Sequence, residues 1–205
     1  MKNKLLILGA GGHGKVVADI ALKMNKWNNI YFLDDDESIS EAISIKRIGK
    51  LEDSYKMIKE FDVFVAIGNN PTRMKIQSRL EDLGANIPIL IHPAAVIGTD
   101  VKVDIGTVIM AGVIINCCTT IGKGCIINTN SNIDHDNFID DYVHVSPGSS
   151  LGGTVKIATQ TWLGIGSTII NNVHVAKNCI IGAGSVIVKD ILESGTYVGV
   201  PAKKV

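Results

Sequence analysis

Three histidines in the second half of the sequence are candidates for proton transfer: His135, His144 and His174. His135 is distinctive because carboxylates flank it in the run Asn132-Ile133-Asp134-His135-Asp136. A neighbouring carboxylate stabilises the imidazolium and so raises the basicity of a histidine, which suits a general base. A histidine on a surface is more often simply solvated, and the flanking residues alone leave both interpretations of His135 open.

A glycine-rich turn near the start of the chain is a candidate for binding a phosphate. Residues 4–8 predict a buried strand, Gly9-Ala10-Gly11-Gly12-His13-Gly14 follows, and a helix is expected from about Lys15 with Val16 on its buried face. A strand, a G-x-G-x-x-G turn and a helix together form the context in which this motif binds a nucleotide. Glycines allow close approach, and the helix start offers unpaired N–H groups. The alternative is a tight turn without a ligand.

Acidic residues follow the second predicted strand, residues 30–33. Asp34 and Asp35 come about twenty positions after the glycines, where such folds contact a ribose. After another strand, residues 63–67, Gly68 leads into a second helix with Pro71 in its first turn. With a last strand at residues 87–91, residues 1–91 predict an α/β Rossmann-like half-domain that binds a nucleotide.

The remainder of the chain has a six-residue repeat. Every sixth residue from Ile97 to Ile187 is Ile, Leu or Val, sixteen positions without an exception. Four residues after each, the side chain is usually small or β-branched, with Asn137 as the main exception. This period fits neither a helix nor simple strand alternation and indicates a solenoid. Residues 92–205 therefore predict a hexapeptide β-helix, with His92-Pro93 as the junction and three hexads in each coil.

The β-helix predicts which residues are neighbours, because positions eighteen apart should stack. His135 should lie beside Gly153 one coil further on. His144 should stack with Trp162 in the same way, although the sequence assigns no role to Trp162 or to His174.

Composition excludes several kinds of partner. The chain has 205 residues, with twenty basic and twenty acidic side chains, so it lacks the basic face that nucleic acid requires. No run of about eighteen apolar residues suggests a membrane span. Cys125 and Cys179 lie three coils apart, ~14 Å by strand spacing, too far for a disulfide. Reduced cysteines and a cytoplasmic location are expected.

Six motifs together resemble one family. They are Gly-Ala-Gly-Gly-His-Gly, Phe-Leu-Asp-Asp, Ala-Ile-Gly-Asn-Asn, His135-Asp136, Trp-Leu-Gly-Ile-Gly from Trp162, and Gly-Val-Pro-Ala-Lys from Gly199. The chain resembles, over its whole length, the sugar O/N-acyltransferases of the sialic-acid O-acetyltransferase type. Within them it is most similar to the enzymes that N-acetylate UDP-4-amino-4,6-dideoxy sugars.

The resemblance implies a fold, an assembly and a reaction. It implies a left-handed parallel β-helix, a homotrimer with sites between neighbours, and acetyl-CoA as co-substrate, with no permanently bound cofactor and no metal. The 4-amino group of a nucleotide-linked sugar, with UDP as the expected nucleotide, would attack the thioester directly. His135 would be the general base and Asp136 the residue that raises its basicity. Close relatives often have Glu in place of Asp136.

The resemblance also implies binding residues. Acetyl-CoA contacts fall on His144, Gly153, Ile165 and Ala183. Nucleotide-sugar contacts fall on Gly11, Gly12, His13, Asp34, Asp35 and Gly68. His144 or the backbone N–H of Gly153 would stabilise the oxyanion.

Four other functions would use some of the same features. The nearest alternative is O-acetylation of sialic acid or another sugar hydroxyl, which only substrate turnover separates from N-acetylation. An NAD-dependent oxidoreductase would explain the glycines and leave the hexads unexplained. A zinc carbonic anhydrase of the β-helix type would need close histidine pairs, and an ice-binding β-helix would need repeated Thr-x-Thr ladders.

Overall fold

The computed structural model describes residues 2–205, which form two compact units. The first ends at Pro93 and the second is Ala94–Val205, two residues beyond the boundary expected from the sequence. The predicted fold class, an α/β unit followed by a hexapeptide β-helix, is confirmed.

The first unit is a five-stranded sheet with helices. Its strands, in chain order, are β1 (Lys4–Leu8), β2 (Asn29–Leu33), β3 (Glu41–Ala42), β4 (Ile45–Gly49) and β5 (Asp62–Val65), arranged β3-β4-β2-β1-β5. Its helices are α1 (Gly12–Met24), α2 (Ser54–Met57) and α3 (Asn70–Asp82), with a 3₁₀ turn at Leu51–Asp53 and a short strand β6 at Leu90–Ile91. Only β3 runs antiparallel to its neighbour in the sheet.

The central strand explains the position of the glycine turn. β1 pairs with β2 and β5, and Leu5–Leu8 are fully buried, as a central parallel strand requires. Helix α1 then begins at Gly12, three residues earlier than the sequence suggested. A Cβ on Gly14 would lie 1.9 Å from the Gly9 carbonyl oxygen, so only glycine allows this close return of the chain.

Two local expectations for this unit were wrong, and one of its elements was not predicted. The strand expected at residues 87–91 forms only at Leu90–Ile91 and is not part of the five-stranded sheet. Val16 was expected on the buried face of α1, but it is exposed, and Ala18 occupies that face beside Val17. The β3–β4 hairpin was not anticipated because Ile43 and Ser44, both with positive φ, form its turn without the usual glycine or asparagine signal.

The second unit is a parallel β-helix with three faces. The first face contains the strands Val96–Ile97, Ile114–Ile115, Asn132–Ile133, Ser150–Leu151, Thr168–Ile169 and Val186–Ile187. The second face contains Lys102–Val103, Thr120–Ile121, Phe138–Ile139, Lys156–Ile157 and His174–Val175. The third face contains Val108–Ile109, Ile126–Ile127, His144–Val145, Trp162–Leu163, Cys179–Ile181, Gly195–Gly199 and Ala202–Lys204.

The predicted eighteen-residue register is confirmed on all three faces. Asn132 pairs with Ser150, Phe138 with Lys156, and His144 with Trp162. The repeated aliphatic side chains are buried, apart from the first two, Ile97 and Val103, which belong to the opening coil. Stacked aliphatic side chains therefore form the core, and burial of this apolar surface stabilises the unit.

Polar groups inside the β-helix follow a regular pattern, which we call the interior ladder. The Thr107 hydroxyl donates to the Gly122 carbonyl (2.7 Å) and accepts from the Cys125 backbone N–H (2.9 Å), both in the next coil. Thr161 makes the same two kinds of bond three coils later in the stack, donating to the Ala176 carbonyl and accepting from the Cys179 N–H. Where the small residue of a hexad carries a hydroxyl, as Thr107 and Thr161 do, it thus satisfies backbone groups of the next coil.

Candidate active site

His135 lies on a corner of the β-helix whose backbone is held on both sides. This corner, residues 134–137, joins the first face to the second and is named the His135 corner here. The His135 backbone N–H donates to the Asp134 carboxylate (2.8 Å), and its carbonyl accepts from the Thr154 N–H of the next coil (2.9 Å). The half-exposed imidazole therefore projects from a fixed backbone.

The predicted pairing of His135 with Asp136 is present in the geometry. Asp136 has a positive φ of 57°, a conformation that Asp tolerates better than most residues. Its Oδ2 lies 2.7 Å from Nδ1 of His135. Because a carboxylate only accepts hydrogen bonds, Nδ1 carries the proton and Nε2 is the basic nitrogen.

The carboxylates also change the proton affinity of the imidazole. The hydrogen bond that His135 donates to Asp136 and the negative charge of Asp134 raise the pKa of His135 above its ordinary value, against a smaller opposing effect of desolvation. A more basic imidazole is a stronger proton acceptor, so this arrangement can perform general base catalysis.

Gly153 lies against the imidazole, as the coil map predicted. A Cβ on Gly153 would be 2.7 Å from both Cε1 and Nε2 of His135, so a glycine here leaves room for the ring. The two residues border an open groove of about 650 Å³ along the first face. Its other walls include Asp134, Ser150, Thr154, Thr168, Ile170 and Asn171.

His144 is held on the third face. Its ring stacks on Trp162, with centroids 5.9 Å apart and planes 7° from parallel. The Asn128 amide donates to Nε2 of His144 (3.2 Å), and the Trp162 indole donates to the Ser146 hydroxyl (2.8 Å). With Nε2 accepting, Nδ1 is the nitrogen of His144 that can donate.

Ile165 and Ala183 lie on a different corner from His135. Both are exposed, on adjacent coils of the corner that joins the third face to the first, and the Gly184 N–H donates to the Ile165 carbonyl (2.8 Å). The structure thus brings His135, Asp136 and Gly153 together. It places Ile165 and Ala183 along another edge of the same β-helix.

In the first unit, the glycines predicted to bind a ligand face open space. A Cβ on Gly11, Gly12 or Gly68 would meet no atom within 4 Å. Gly11 caps the N-terminus of α1 without a side-chain hydrogen bond. The approach to the first turn of this helix is therefore clear for an anionic group.

The two aspartates after β2 differ in their surroundings. Asp34 is half-buried, with Oδ2 accepting from the Ala10 N–H (2.6 Å) and Oδ1 from the Asp36 N–H (2.9 Å). This carboxylate ties the glycine turn to the end of β2. Asp35 is exposed, and its Oδ1 accepts from the Leu51 N–H (3.0 Å).

His13 provides a buried polar atom next to the glycines. Within residues 2–205, no group forms a hydrogen bond with its Nε2. Burial and the positive charge of Arg73 lower the pKa of His13 from 6.5 to about 4, so the ring is neutral near pH 7. A neutral imidazole nitrogen without an internal partner can accept or donate a hydrogen bond to a ligand.

Sequence reasoning missed three polar residues around these groups. Arg73 is buried and donates to the Ile67 and Gly68 carbonyls (2.9 and 3.0 Å), and nothing in a single sequence marks it. Asn128 stands about one coil before His144. Asn137 could have been found from the sequence, because it interrupts the pattern of small residues in the hexads.

The described part of the chain has neither a metal-binding cluster nor a membrane-spanning helix. Residues 2–205 contain no cluster of three or more His, Cys, Asp or Glu side chains arranged for a metal ion. None of their helices has the length and apolarity to cross a membrane. All four cysteines are free thiols, with Cys117 and Cys118 exposed and Cys125 and Cys179 buried.

Comparison of the sequence with known proteins gives one family match and a curated relative. Residues 4–80 match the family described as the PglD N-terminal domain. UDP-N-acetylbacillosamine N-acetyltransferase of Bacillus subtilis (strain 168) is 34% identical over 114 residues, 54% of this chain and 52% of that protein. The chain thus spans about half the length of this curated relative in the alignment.

Solved structures match over nearly the whole chain. The acetyltransferase domain of PglB from Neisseria gonorrhoeae FA1090 is 37% identical, covers 100% of both chains and has a TM-score of 0.96; it has also been solved in complex with acetyl coenzyme A. PerB from Caulobacter crescentus, in complex with CoA and GDP-perosamine, is 33% identical over 98% of this chain and 96% of that one, with a TM-score of 0.92.

Proposed function

The chain belongs to the sugar N-acetyltransferase family that includes the acetyltransferase domain of PglB and perosamine N-acetyltransferase, and we propose that it acetylates a nucleotide-linked 4-amino sugar. Acetyl-CoA is the donor in this proposal. The acceptor is the 4-amino group of a 4-amino-4,6-dideoxy sugar carried on a nucleotide, with UDP expected. The relatives with such names act on UDP- and GDP-linked sugars, which supports the substrate class.

One observation carries the proposed mechanism: the His135 imidazole is paired with Asp136 at 2.7 Å and borders an open groove at Gly153. The substrate amine attacks the thioester carbon, a C–N bond forms, and Nε2 of His135 takes the proton from the nitrogen. When the tetrahedral intermediate collapses, the C–S bond breaks and the CoA thiolate leaves, to be protonated by the imidazolium. Proton transfer of this kind contributes about 10²–10⁴-fold to a rate.

The negative charge on the intermediate needs a donor. Gly153 lies beside the His135 ring, and within residues 2–205 no hydrogen bond uses its backbone N–H. We assign the oxyanion to this N–H, with His144 as the other candidate, because such donors stabilise charge that develops during acyl transfer. Gly153, His144, Ile165 and Ala183 are the proposed acetyl-CoA contacts.

The first unit is proposed to hold the nucleotide. Open space at Gly11, Gly12 and Gly68 would admit a diphosphate to the N-terminus of α1. The unpartnered Nε2 of His13 and the exposed Asp35 carboxylate would supply specific hydrogen bonds. Asp34 supports the same site through its bond to the Ala10 N–H.

The proposed assembly is a homotrimer in the cytoplasm. The proposed base lies on the His135 corner, whereas the proposed acetyl-CoA contacts Ile165 and Ala183 lie on the corner that joins the third face to the first, and the groove beside His135 is open. A neighbouring copy that places its own Ile165 and Ala183 against this groove would complete the site. The exposed thiols of Cys117 and Cys118 suit a reducing compartment.

The proposed activity is tested with a panel of UDP-, GDP- and dTDP-linked 4-amino sugars, each incubated with acetyl-CoA and the enzyme. Mass spectrometry should show the gain of one acetyl group on the UDP sugar, and matched sugars with a hydroxyl in place of the amine should remain unchanged. Acetylation of the hydroxyl sugars alone would overturn the assignment as an N-acetyltransferase.

A further inference from the structure

Asn137 occupies a position where other hexads have a small residue. Its side chain is buried, 2% exposed, in the interior of the β-helix. Nδ2 donates to the Gly152 carbonyl (3.0 Å), and Oδ1 accepts from the Val155 N–H (3.1 Å). These are the two interior-ladder bonds that Thr107 makes through one hydroxyl, so Asn137 fulfils the ordinary role of its position.

Asn137 combines these bonds with contacts to its own corner, which Thr107 does not make; Ser131 makes one contact of that kind, from its hydroxyl to the Asn128 carbonyl (2.8 Å). Nδ2 donates to the Asp134 carbonyl (2.7 Å), with a longer contact to the His135 carbonyl (3.3 Å). A threonine hydroxyl has one hydrogen to donate, whereas a side-chain amide has two. Asn137 therefore serves the ladder and binds its own corner at the same time.

These contacts join the two parts of the proposed site. Asp134 and His135 lie on the corner that carries the imidazole, and Gly152 lies in the next coil, directly before Gly153. One buried amide thus fixes the backbone on both sides of the gap in which the ring lies. Because Asn137 is interior, it cannot itself touch a ligand in the groove.

We propose that Asn137 is a positioning residue for His135, one that holds the imidazole in register with Gly153 and Asp136. This inference rests on the proposed function, in which His135 is the base. Misplacement of a catalytic group by about 1 Å can lower a rate by about 10²-fold. Loss of the Asn137 contacts to its own corner should therefore lower kcat while leaving both binding sites in place.

The test is Asn137→Thr, which retains a hydroxyl for the ladder and removes the second N–H donor. Its kcat for acetyl transfer should fall about 10-fold or more, with the KM of each substrate within about twofold of wild type. The acid limb of its kcat–pH profile should move to lower pH, because a loosened corner weakens the Nδ1–Asp136 hydrogen bond. Asn137→Cys gives the same comparison if the threonine variant does not fold, since Cys125 and Cys179 occupy equivalent interior positions.

The matched control is Thr107→Val, which removes a hydroxyl of the interior ladder in an earlier coil than that of His135. It should lower the melting temperature and leave kcat and the pH profile unchanged. Wild-type kcat in Asn137→Thr, or an equal loss of kcat in Thr107→Val, would overturn the positioning role. His135→Ala in the same assay distinguishes failure of the proposed mechanism from failure of the positioning role. If His135→Ala is fully active, the proposed mechanism is wrong. If His135→Ala is inactive while Asn137→Thr has wild-type activity, only the role of Asn137 is wrong.

Discussion

At the scale of residues, the proposed chemistry depends on a short corner sequence. Asp134 accepts from the His135 backbone, Asp136 accepts from the His135 ring, and Gly153 leaves space for that ring. Asp136 and Gly153 act on the ring in different ways, so their replacement should give different results.

Replacement of Asp136 by Asn should change the pH dependence of catalysis. The base must be neutral to accept a proton, so activity falls as the pH drops through the His135 pKa. Asp136 raises that pKa, and the uncharged amide should lower it, which moves the acid limb of the kcat–pH profile to lower pH. The plateau rate should fall less than in His135→Ala. An unshifted acid limb would show that Asp136 does not set the basicity of His135.

Replacement of Gly153 by Ala should displace the imidazole. The new Cβ would lie 2.7 Å from Cε1 and Nε2 of His135, and a side chain moves more easily than the backbone of two coils. We expect a folded protein with a melting temperature close to wild type and kcat lower by about 10²-fold. Wild-type kcat in a folded Gly153→Ala protein would place the reacting amine away from this side of the ring.

At the scale of elements, the two units are built to present backbone groups at their turns. In the first unit, β1 and α1 place Gly11 and Gly12 at a helix N-terminus. In the second unit, every sixth residue from Asp100 to Gly184 has a positive φ, so each corner turns in the same way. Asp136 is one of these residues, which explains how two neighbours in sequence reach a side-chain hydrogen bond.

Replacement of Asp35 by Ala should weaken the binding of the nucleotide sugar without weakening the binding of acetyl-CoA. Loss of a charge-assisted hydrogen bond to the nucleotide sugar should cost about 1.5–3 kcal/mol, whereas acetyl-CoA binding should not change. Isothermal titration calorimetry with each ligand measures both effects. Glu37→Ala is the control, because this exposed carboxylate pairs only at the surface with Lys50 (2.8 Å) and should leave both affinities unchanged. Equal losses for the two ligands in Asp35→Ala would contradict a nucleotide site in the first unit.

The sequence predicted elements that depend on a strong repeat and missed those that depend on local contacts. The period of six led directly to the pairing of His144 with Trp162 and to the contact of His135 with Gly153. The β3–β4 hairpin left no such pattern, because Ile43 and Ser44 adopt a turn that their residue types do not favour. Asn137 was visible as an exception, but its meaning required the positions of four backbone groups.

At the scale of the whole molecule, we expect an oligomer because the groove is open and because His135 is on a different corner from the proposed acetyl-CoA contacts Ile165 and Ala183. A groove that is completed by another copy excludes water from the thioester more effectively than an open face does. The exposed apolar side chains Ile165 and Trp162 are available for such a contact or for the donor.

Sedimentation equilibrium should therefore show a trimer at micromolar concentration. Mixing His135→Ala chains with Ile165→Asp chains provides a functional check. If the site lies between copies, some mixed sites combine the intact His135 of one chain with the intact Ile165 of the other, and acetyl-transfer activity should partly return. A monomer that retains full acetyl-transfer activity would contradict the intersubunit site.

The most direct test of the account is the rate of acetyl transfer by His135→Ala. The imidazole is 53% exposed, so its removal should change stability by less than about 0.5 kcal/mol. With acetyl-CoA and a UDP-linked 4-amino sugar at saturation, kcat should fall by about 10²–10⁴-fold while both substrates still bind. His174→Ala, an exposed histidine on the second face, should retain the wild-type rate. A folded His135→Ala protein that turns over at the wild-type rate would contradict the assignment of His135 as the base.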